Sequence, residues 1–331
     1  MTNQPKTSRD VSLDLLRRGL RVACLIILCT LGAGKVFGQI TSDVVVWGVN
    51  GYNLTDVPPN LTNVVAIAVG PYSALALQGD GTVVSWGYNA PDVPLGLTNA
   101  VAITAGAGFS LALRDNGTVI AWGGDGYGET NVPIGLANVV AIATGDGFNL
   151  DLQVDGTVVG WGDNTYGQSQ VPPGLTNVTA IAAGRDHSLA LRSDGTVVAW
   201  GSDSWGQTDV PPRLTNAVAI AAGFDFSMAL ESNGKLVLWG DGSLGQTNVP
   251  VSLTNVVAIA AEMAMQSNNT LVVWGSDVNG VNNVSPGLTN AVAIAGSYGE
   301  NLGLVGGLCC GMELPWRSDQ LVSLRTAERR S

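Results

Sequence analysis

Short apolar runs alternate with polar stretches rich in glycine and proline along most of this chain. One type of run ends in Trp-Gly and occurs seven times, with its tryptophans at Trp47, Trp86, Trp122, Trp161, Trp200, Trp239 and Trp274. Successive tryptophans are 39, 36, 39, 39, 39 and 35 residues apart. A period in this range indicates a repeat architecture, in which each copy forms one supersecondary unit.

Each repeat predicts three short strands and one long loop. In the fourth complete copy, apolar runs cover residues 178–183, 188–192 and 196–200. Asp194-Gly195 separates the last two runs and predicts a two-residue type I′ hairpin turn, which needs positive φ at both positions. The stretch before the first run contains two adjacent prolines, which exclude a central strand and predict an irregular loop.

The repeats must pack on one another, because a single three-stranded sheet cannot bury both of its faces. Seven such sheets arranged radially form a β-propeller. The last repeat has apolar runs at 292–295 and 302–304 but no third run, and the first repeat supplies an unpaired third run at 44–47. The sequence therefore predicts an all-β, seven-bladed β-propeller over residues 39–304, with three-stranded repeats of about 39 residues and a ring closed by the N-terminal strand. The repeat tryptophans are predicted to anchor the packing of the blades.

The two ends of the chain lie outside this pattern. Basic residues precede an apolar run at 22–34, and small residues lie near its end, so residues 1–38 predict a secretory signal peptide. The run is short for a membrane span, which needs about 20 residues, so no stable membrane insertion is expected after cleavage. The predicted location is secreted, periplasmic or at the cell surface; an uncleaved anchor and a cytoplasmic chain are the alternatives. Residues 305–331 predict a tail without repeats.

Charge and cysteine content limit the classes of partner. Residues 39–304 hold 21 acidic and five basic residues. A nucleic-acid binder needs a basic face, so nucleic acid is not an expected partner, whereas a basic protein is. The four cysteines, at positions 24, 29, 309 and 310, lie outside the repeats, which excludes a disulfide framework or a cysteine metal site within them.

The fourth complete repeat (residues 178–207) begins Val-x-Ala-Ile-Ala-Ala-Gly-x-x-His-Ser-Leu-Ala-Leu and continues x-x-Asp-Gly-Thr-Val-x-Ala-Trp-Gly-x-x-x-x-Gly-Gln. It resembles the repeat of the regulator of chromosome condensation family, and its short, three-stranded form looks more like the secreted bacterial propellers of the β-lactamase inhibitor protein II type. The resemblance covers residues 44–304 and implies the propeller fold. The chromatin protein of the family binds DNA and histones and acts in nucleotide exchange. The acidic ring and the lack of a long insertion depart from it, so nuclear exchange activity is not expected.

Residue types give no catalytic constellation. His187 is the one histidine of the chain, which leaves no histidine-based metal site and no base for a serine or cysteine triad. It occupies a position where other copies have phenylalanine, so a structural role is predicted. One aspartate follows each of five tryptophans by two or three residues, at Asp125, Asp163, Asp203, Asp241 and Asp277. Calcium needs six to eight converging oxygens, so these residues predict turns instead, and no cofactor or metal is expected.

A column of loop residues is the candidate binding surface. The position five residues after each repeat tryptophan holds Tyr52, Pro91, Tyr127, Tyr166, Trp205, Leu244 and Asn279. We take Tyr52, Tyr127, Tyr166, Trp205 and Leu244 as candidates for a protein- or ligand-binding face, because exposed aromatic residues with few lysines are typical of binding hot spots. The alternative is that each side chain packs on its neighbouring loop. Two copies are altered: the loop after Trp86 is three residues shorter, and the sixth blade lacks four residues before Glu262.

Together these features predict a secreted, monomeric, non-enzymatic scaffold that binds a protein, with an inhibitor of an extracellular enzyme as one form of that function. A lectin-like module that stacks sugars on the same aromatic residues is the first alternative. An extracellular hydrolase or lyase with its site in the central channel is the least favoured, because the groups that catalysis needs are missing.

Overall fold

Seven three-stranded antiparallel sheets make up the computed structural model, which describes residues 42–48, 52–88, 90–275, 282, 284, 291–297 and 300–306. The predicted signal peptide, residues 307–331 of the predicted tail, all four cysteines, Asp277 and Asn279 lie outside the described residues. The first two residues of the predicted tail, Val305 and Gly306, belong instead to the last strand of the propeller, because they pair with Asp43 and Ser42. The described part of the chain contains no apolar helix of membrane-spanning length.

Twenty-one strands are numbered along the chain. They are β1 (Ser42–Gly48), β2 (Val64–Val69), β3 (Ser73–Gln78), β4 (Val83–Gly87), β5 (Ala100–Ala105), β6 (Phe109–Arg114), β7 (Val119–Gly123), β8 (Val139–Thr144), β9 (Phe148–Gln153), β10 (Val158–Gly162), β11 (Val178–Ala183), β12 (His187–Arg192), β13 (Val197–Gly201), β14 (Ala217–Ala222), β15 (Phe226–Glu231), β16 (Leu236–Gly240), β17 (Val256–Ala260), β18 (Met263–Gln266), β19 (Leu271–Val273), β20 (Ala291–Ser297) and β21 (Glu300–Gly306). Blades 1 to 6 take three consecutive strands each from β2 onward, and blade 7 combines β20, β21 and β1.

The ring closes through the N-terminal strand. β1 pairs antiparallel with β21, with Val44 opposite Leu304 and Trp47 opposite Asn301. The first strands of successive blades contact one another around the whole ring, including β20 with β2. These strands therefore surround the central axis, and the prediction of a closed seven-bladed propeller is confirmed.

The hydrophobic core is divided among the seven contacts between adjacent blades. Each contact has its own cluster of buried side chains, and each cluster contains one repeat tryptophan. In β2, Ala66 and Ala68 pack toward blade 2, whereas Val64 and Ile67 pack in the cluster shared with blade 7. Because both faces of each sheet are buried, the strands are apolar at nearly every position instead of alternating.

The hairpin between the second and third strands differs from the prediction. In blade 1, Gln78 N–H donates to Thr82 O at 2.9 Å, and φ is positive at Gly81 (83°) but not at Asp80. The loop therefore has three residues, with a type I turn followed by a left-handed glycine, and the predicted two-residue type I′ turn is wrong. The physical reason is that the Asp80 carboxylate accepts the Thr82 N–H at 3.0 Å, which holds Asp80 in a right-handed conformation.

Glycines bring the blades close together at one end of the ring. A Cβ on Gly145 would lie 2.5 Å from the carbonyl oxygen of Gly184 in the next blade, and a Cβ on Gly184 would lie equally close to Gly223. Next to these glycines, Asp146 N–H donates to Arg185 O and Arg185 N–H to Phe224 O, both at 3.3 Å. Only a residue without a side chain allows this approach of neighbouring backbones.

Candidate functional site

Two kinds of loop meet at one end of the propeller, which we call the upper face. His187, at the start of β12, lies opposite Gly201, at the end of β13, and the other complete blades have the same register. The turn between the first and second strands and the loop after the third strand therefore emerge side by side. The three-residue hairpins lie at the opposite end, the lower face.

The candidate residues Tyr127, Tyr166, Trp205 and Leu244 form the tips of equivalent upper-face loops. The backbone N–H of Tyr166 donates to Gln168 Oε1, and that of Trp205 donates to Gln207 Oε1, both at 2.8 Å. These glutamines are buried, and Glu129 and Gln246 hold Tyr127 and Leu244 in the same way. The tip side chains are 53–65% exposed. Each tip thus has a fixed backbone and a side chain that projects into solvent.

The aspartates of these loops form turns. Asp163 Oδ1 accepts the Thr165 N–H at 3.0 Å, and its Oδ2 accepts from Gln168 Nε2 at 2.9 Å. Asp125, Asp203 and Asp241 likewise accept hydrogen bonds from backbone N–H groups of their own loops. Among the described residues no group of three His, Cys, Asp or Glu side chains is arranged to hold a metal ion.

Among the described residues, exposed aromatic rings touch one another at blade 1. Tyr52 meets Tyr72 edge to face, with ring centroids 5.0 Å apart, and lies 5.9 Å from Tyr88. All three side chains are 39–53% exposed. Only Tyr52 belongs to the column of candidates, because Tyr72 lies in the turn between β2 and β3 and Tyr88 follows Trp86-Gly87. We call these three residues the tyrosine cluster.

The side chains of Tyr127 and Tyr52 also pack against the adjacent blade. A Cβ on Gly147 would lie 3.2 Å from the Tyr127 ring, and Tyr52 contacts Tyr72 in the same relation between neighbouring blades. Packing on a neighbouring loop and exposure to solvent therefore occur together in these side chains. The packing fixes one side of the ring, and the exposed side remains available for a ligand.

Charged residues gather in the upper-face turns of blades 3 to 5. Arg185 Nε lies 2.7 Å from Asp186 Oδ2, its Nη1 lies 3.8 Å from Asp225 Oδ2, and its guanidinium lies 4.3 Å above the Phe224 ring. Burial, with a further contribution from Asp186, raises the pKa of Asp146 to about 6. Burial also raises the pKa of Asp225.

Blade 6 has a different upper edge. Residues Ala261 and Glu262 alone join β17 to β18, and Glu262 adopts a left-handed conformation with φ of 50°. Its carboxylate lies against Gly275, where a Cβ would be 2.9 Å from Glu262 Cδ. Burial raises the pKa of Glu262 to about 7.

His187 is a core residue of blade 4. Its Nε2 lies 3.0 Å from Ser227 Oγ in blade 5, and that hydroxyl in turn donates to Gln207 O at 2.8 Å. Nε2 therefore carries the proton, and Nδ1 has no hydrogen-bond partner among the described residues. Burial lowers the pKa of His187 to about 4, so the ring is neutral at physiological pH. The neutral imidazole therefore has a structural role, since it packs and hydrogen-bonds between blades 4 and 5.

The repeat tryptophans fix the loop bases. Trp200 Nε1 donates to Gln168 O and Trp239 Nε1 to Gln207 O, both at 2.9 Å, and Trp86 and Trp274 make equivalent bonds. Trp122 Nε1 has no partner among the described residues, because the loop before blade 2 is three residues shorter. All seven of these side chains are buried. The structure thus places the tryptophans beneath the upper face and not on it.

In blade 3 the tryptophan N–H donates to a buried carboxyl group instead of to a loop carbonyl. Trp161 Nε1 donates to Asp151 Oδ2, and Asn149 Nδ2 donates to the Glu129 carbonyl at 2.9 Å. Asp151 has no exposed surface, and burial raises its pKa to about 7. Ser188 and Ala190 are the equivalent residues of blade 4. The sequence signal for this exchange is a single acidic residue within an apolar strand.

Comparisons with known proteins agree with the repeat pattern. The model of the regulator of chromosome condensation (RCC1) repeat matches residues 100–129, 139–168, 178–207 and 217–246. Comparison with curated proteins gives no significant match.

Solved structures similar to this chain include three propellers from different organisms. Prp20p from Saccharomyces cerevisiae, whose structure was described with its binding to Gsp1p and histones, has a TM-score of 0.69 at 19% identity, over 93% of this chain and 97% of Prp20p. Human WBSCR16 has a TM-score of 0.64 at 17% identity, over 82% of this chain and 100% of that one. The ectodomain of the Physcomitrella patens receptor kinase CR4 has a TM-score of 0.57 at 22% identity, over 70% and 67%. These likenesses establish the β-propeller fold, and four consecutive repeats of the chain match the model of the RCC1 repeat.

Proposed function

We propose that this chain is a secreted, non-enzymatic scaffold that binds a protein partner on its upper face. The observation that carries the proposal is the set of exposed side chains held on fixed loop backbones, with Tyr127, Tyr166 and Trp205 as its aromatic members. Tyrosine and tryptophan are enriched at binding hot spots, because they offer a large contact area at low conformational cost.

Preorganisation is the physical reason to prefer these loops. Each tip N–H is bound by the side chain two residues later, and each loop aspartate closes its own turn. A partner therefore does not have to order these loops on binding, which reduces the entropic cost of association. The fold supports the same view, since RCC1-like propellers present loops from a rigid ring and Prp20p is described as binding other proteins.

Export and an inhibitory role are the finer parts of the proposal. The basic residues and the 13-residue apolar run near the N-terminus are typical of a secretory signal peptide. The three-stranded repeats resemble those of the β-lactamase inhibitor protein II type, which favours an extracellular enzyme as the target. Expression of the full chain in a host that exports proteins, followed by N-terminal sequencing of the exported product, tests the leader; a product that keeps residue 1 or stays in the cytoplasm would contradict it.

A capture experiment tests the binding face. The exported protein is immobilised and exposed to extracellular protein fractions, beside a variant that carries Tyr127→Ala, Tyr166→Ala and Trp205→Ala. We expect the variant to lose the captured partner. The matched control carries Leu95→Ala, Ile134→Ala and Val251→Ala, which change fully exposed apolar residues in the proline-rich loops near the lower face. Equal capture by the aromatic variant and the wild type would exclude the upper-face tips as the site.

Carbohydrate is the second candidate ligand, favoured by the contiguous rings of the tyrosine cluster, since sugars stack on exposed aromatic faces. A glycan array with the wild type and with a variant that carries Tyr52→Leu, Tyr72→Leu and Tyr88→Leu separates the two functions. Sugar binding that is lost when Tyr52, Tyr72 and Tyr88 are replaced would favour the lectin-like module, and a protein partner without sugar binding would favour the scaffold.

A further inference from the structure

The two faces of the propeller differ strongly in charge. Among the described residues, the upper-face turns and loop tips carry nine carboxylates and one cation, Arg185: the carboxylates are Asp125, Glu129, Asp146, Asp163, Asp186, Asp203, Asp225, Asp241 and Glu262. Three more, Asp56, Asp92 and Asp209, lie further along the loops that connect the blades and are counted with neither face. The hairpins, strand ends and proline-rich turns of the lower face carry five carboxylates and four cations, namely Asp80, Asp115, Asp155, Asp194, Glu231, Arg114, Arg192, Arg213 and Lys235. A cationic molecule is therefore drawn to the upper face and an anionic one is repelled from it.

Arg185 does not offset this charge for an incoming partner. Its guanidinium is already paired with Asp186 and Asp225 and stacks over the Phe224 ring. The same contact is an internal example of how this face accommodates an arginine, with an aromatic ring on one side and carboxylates at the edge. Arginine suits such a position because it is weakly hydrated and planar.

The tyrosine cluster offers a second aromatic surface without a cation of its own. Tyr52 and Tyr72 stand edge to face, and Tyr88 adjoins Tyr52 at 5.9 Å. No cation–ring contact involves these three rings in the described structure, where the one such contact is that of Arg185 with Phe224. The loop after Trp86 is shortened, and Tyr88 is 53% exposed. Its ring is thus accessible on the upper face, on the same end of the ring as the carboxylates of blades 2 to 6.

From these observations we infer that the partner of the upper face is a cationic protein segment, and that the tyrosine cluster is the anchor for its arginine or lysine side chains. The inference rests on the proposed protein-binding function and names the chemistry of the partner. Negative charge steers the segment toward the face, and the tyrosine rings bind its cations at short range through cation–π contacts.

Two upper-face carboxyl groups change their charge near neutral pH, so the affinity for a cationic segment should depend on pH. Asp146 faces Arg185, Asp186 and Asp225, and its pKa is about 6, whereas Glu262 lies against Gly275 with a pKa of about 7. Both carboxyls lose their protons between pH 5 and pH 8, so the negative charge of the face increases over that range. Binding of a cationic segment should strengthen in the same direction.

Fluorescence polarisation with two labelled peptides tests the inference. One peptide repeats Arg-Gly-Ser four times, and the other repeats Glu-Gly-Ser four times. We expect the arginine peptide alone to bind at pH 8 and low salt, and to bind about tenfold more weakly when salt screens the face or when the pH is lowered to 5. Equal binding of the glutamate peptide, or binding of the arginine peptide that is independent of salt, would overturn the inference.

Variants locate the anchor. Tyr52→Leu, Tyr72→Leu and Tyr88→Leu together remove the aromatic faces and keep apolar side chains, and we expect about fivefold weaker binding of the arginine peptide. The lower-face control is Leu95→Ala with Ile134→Ala, which should bind as the wild type does. Circular dichroism checks folding, and Tyr88→Leu alone serves if the triple variant does not fold. Unchanged binding by a folded Tyr→Leu variant would overturn the role of the cluster.

The outcomes separate this inference from the proposed function. If a protein partner is captured through Tyr127, Tyr166 and Trp205 but the arginine peptide does not bind, the scaffold function stands and the cationic partner is wrong. If the tyrosine cluster binds a glycan and not the arginine peptide, the occupant is a sugar and the inference is overturned. If capture is unaffected by every upper-face variant, the proposed function fails as well.

Discussion

Restoring the common repeat arrangement in blade 3 should make the protein more stable above neutral pH. Asp151 is fully buried, its Oδ1 has no hydrogen-bond partner among the described residues, and burial raises its pKa to about 7. In blade 4, Ser188 Oγ and Trp200 Nε1 both donate to the Gln168 carbonyl instead, at 2.7 and 2.9 Å. The change to make is therefore Asn149→Ser together with Asp151→Ala, which gives the Trp161 N–H the Glu129 carbonyl as its acceptor.

The magnitude follows from the ionisation of one group. Asp151 has a pKa of about 7 when folded and 3.8 in the unfolded chain, a difference that corresponds to about 4 kcal/mol. Because the folded value is the higher one, the folded protein holds the proton more tightly. The free energy of unfolding therefore falls as pH rises from about 4 to about 7 and stays low above that. Between pH 5 and pH 8 the loss from this residue is about 2–3 kcal/mol.

Denaturant unfolding followed by tryptophan fluorescence measures the effect. We expect the double variant to exceed the wild type in stability by about 2–3 kcal/mol more at pH 8 than at pH 5. Other titrating groups cancel in this comparison because both proteins contain them. The converse change in blade 4, Ser188→Asn with Ala190→Asp, should introduce the same pH dependence. A stability difference that is equal at the two pH values would refute the assignment of a buried, titrating carboxyl.

Three further predictions concern packing, each measured by thermal or denaturant unfolding. Trp200→Phe should lower the free energy of unfolding by about 1–2 kcal/mol more than Trp122→Phe does, because only the first substitution removes an indole hydrogen bond. Equal losses would contradict a stabilising role for the hydrogen bond from Trp200 to Gln168. Gly184→Ala should destabilise by more than about 2 kcal/mol, whereas Gly126→Ala, with no atom within 4 Å of the new Cβ, should stay within about 0.5 kcal/mol. His187→Phe should remove a rise of stability between about pH 4 and pH 6.5, since the folded pKa of about 4 lies below the unfolded value; an unchanged slope would argue against a neutral buried imidazole.

The fold was predictable because its determinants are local and repeated. The spacing of the tryptophans gave the number of blades, and the unpaired run at 44–47 predicted the closing strand. The hairpin type could not be predicted in the same way, because the dipeptide Asp-Gly occurs in both two-residue and three-residue hairpin loops. The hydrogen bond from the Thr82 N–H to the Asp80 side chain, which the dipeptide signal does not include, accompanies the longer loop.

The candidate site was predictable only in part. A position five residues after the tryptophan identifies the tips in blades 2 to 5, because these four loops share one length and one closing glutamine or glutamate. The tyrosine cluster joins residues from three different positions of the repeat, Tyr52, Tyr72 and Tyr88, and their contact depends on how adjacent blades pack. The charge difference between the faces likewise requires knowing which loops emerge at which end. Such features follow from strand direction and blade order and are not visible in a linear pattern.

Strand direction also determines where the strand ends of blade 7 lie relative to the upper face. β1 begins at Ser42 and β21 ends at Gly306, and these two residues are paired with each other at the lower end of blade 7. The outer ends of both strands, Ser42 and Gly306, therefore lie at the face opposite Tyr127, Tyr166 and Trp205. The more negative face lies at the other end of the ring from these two strand ends. The closing strand thus joins the ring and also sets its own first residue, Ser42, at the end of the propeller away from the surface proposed to bind.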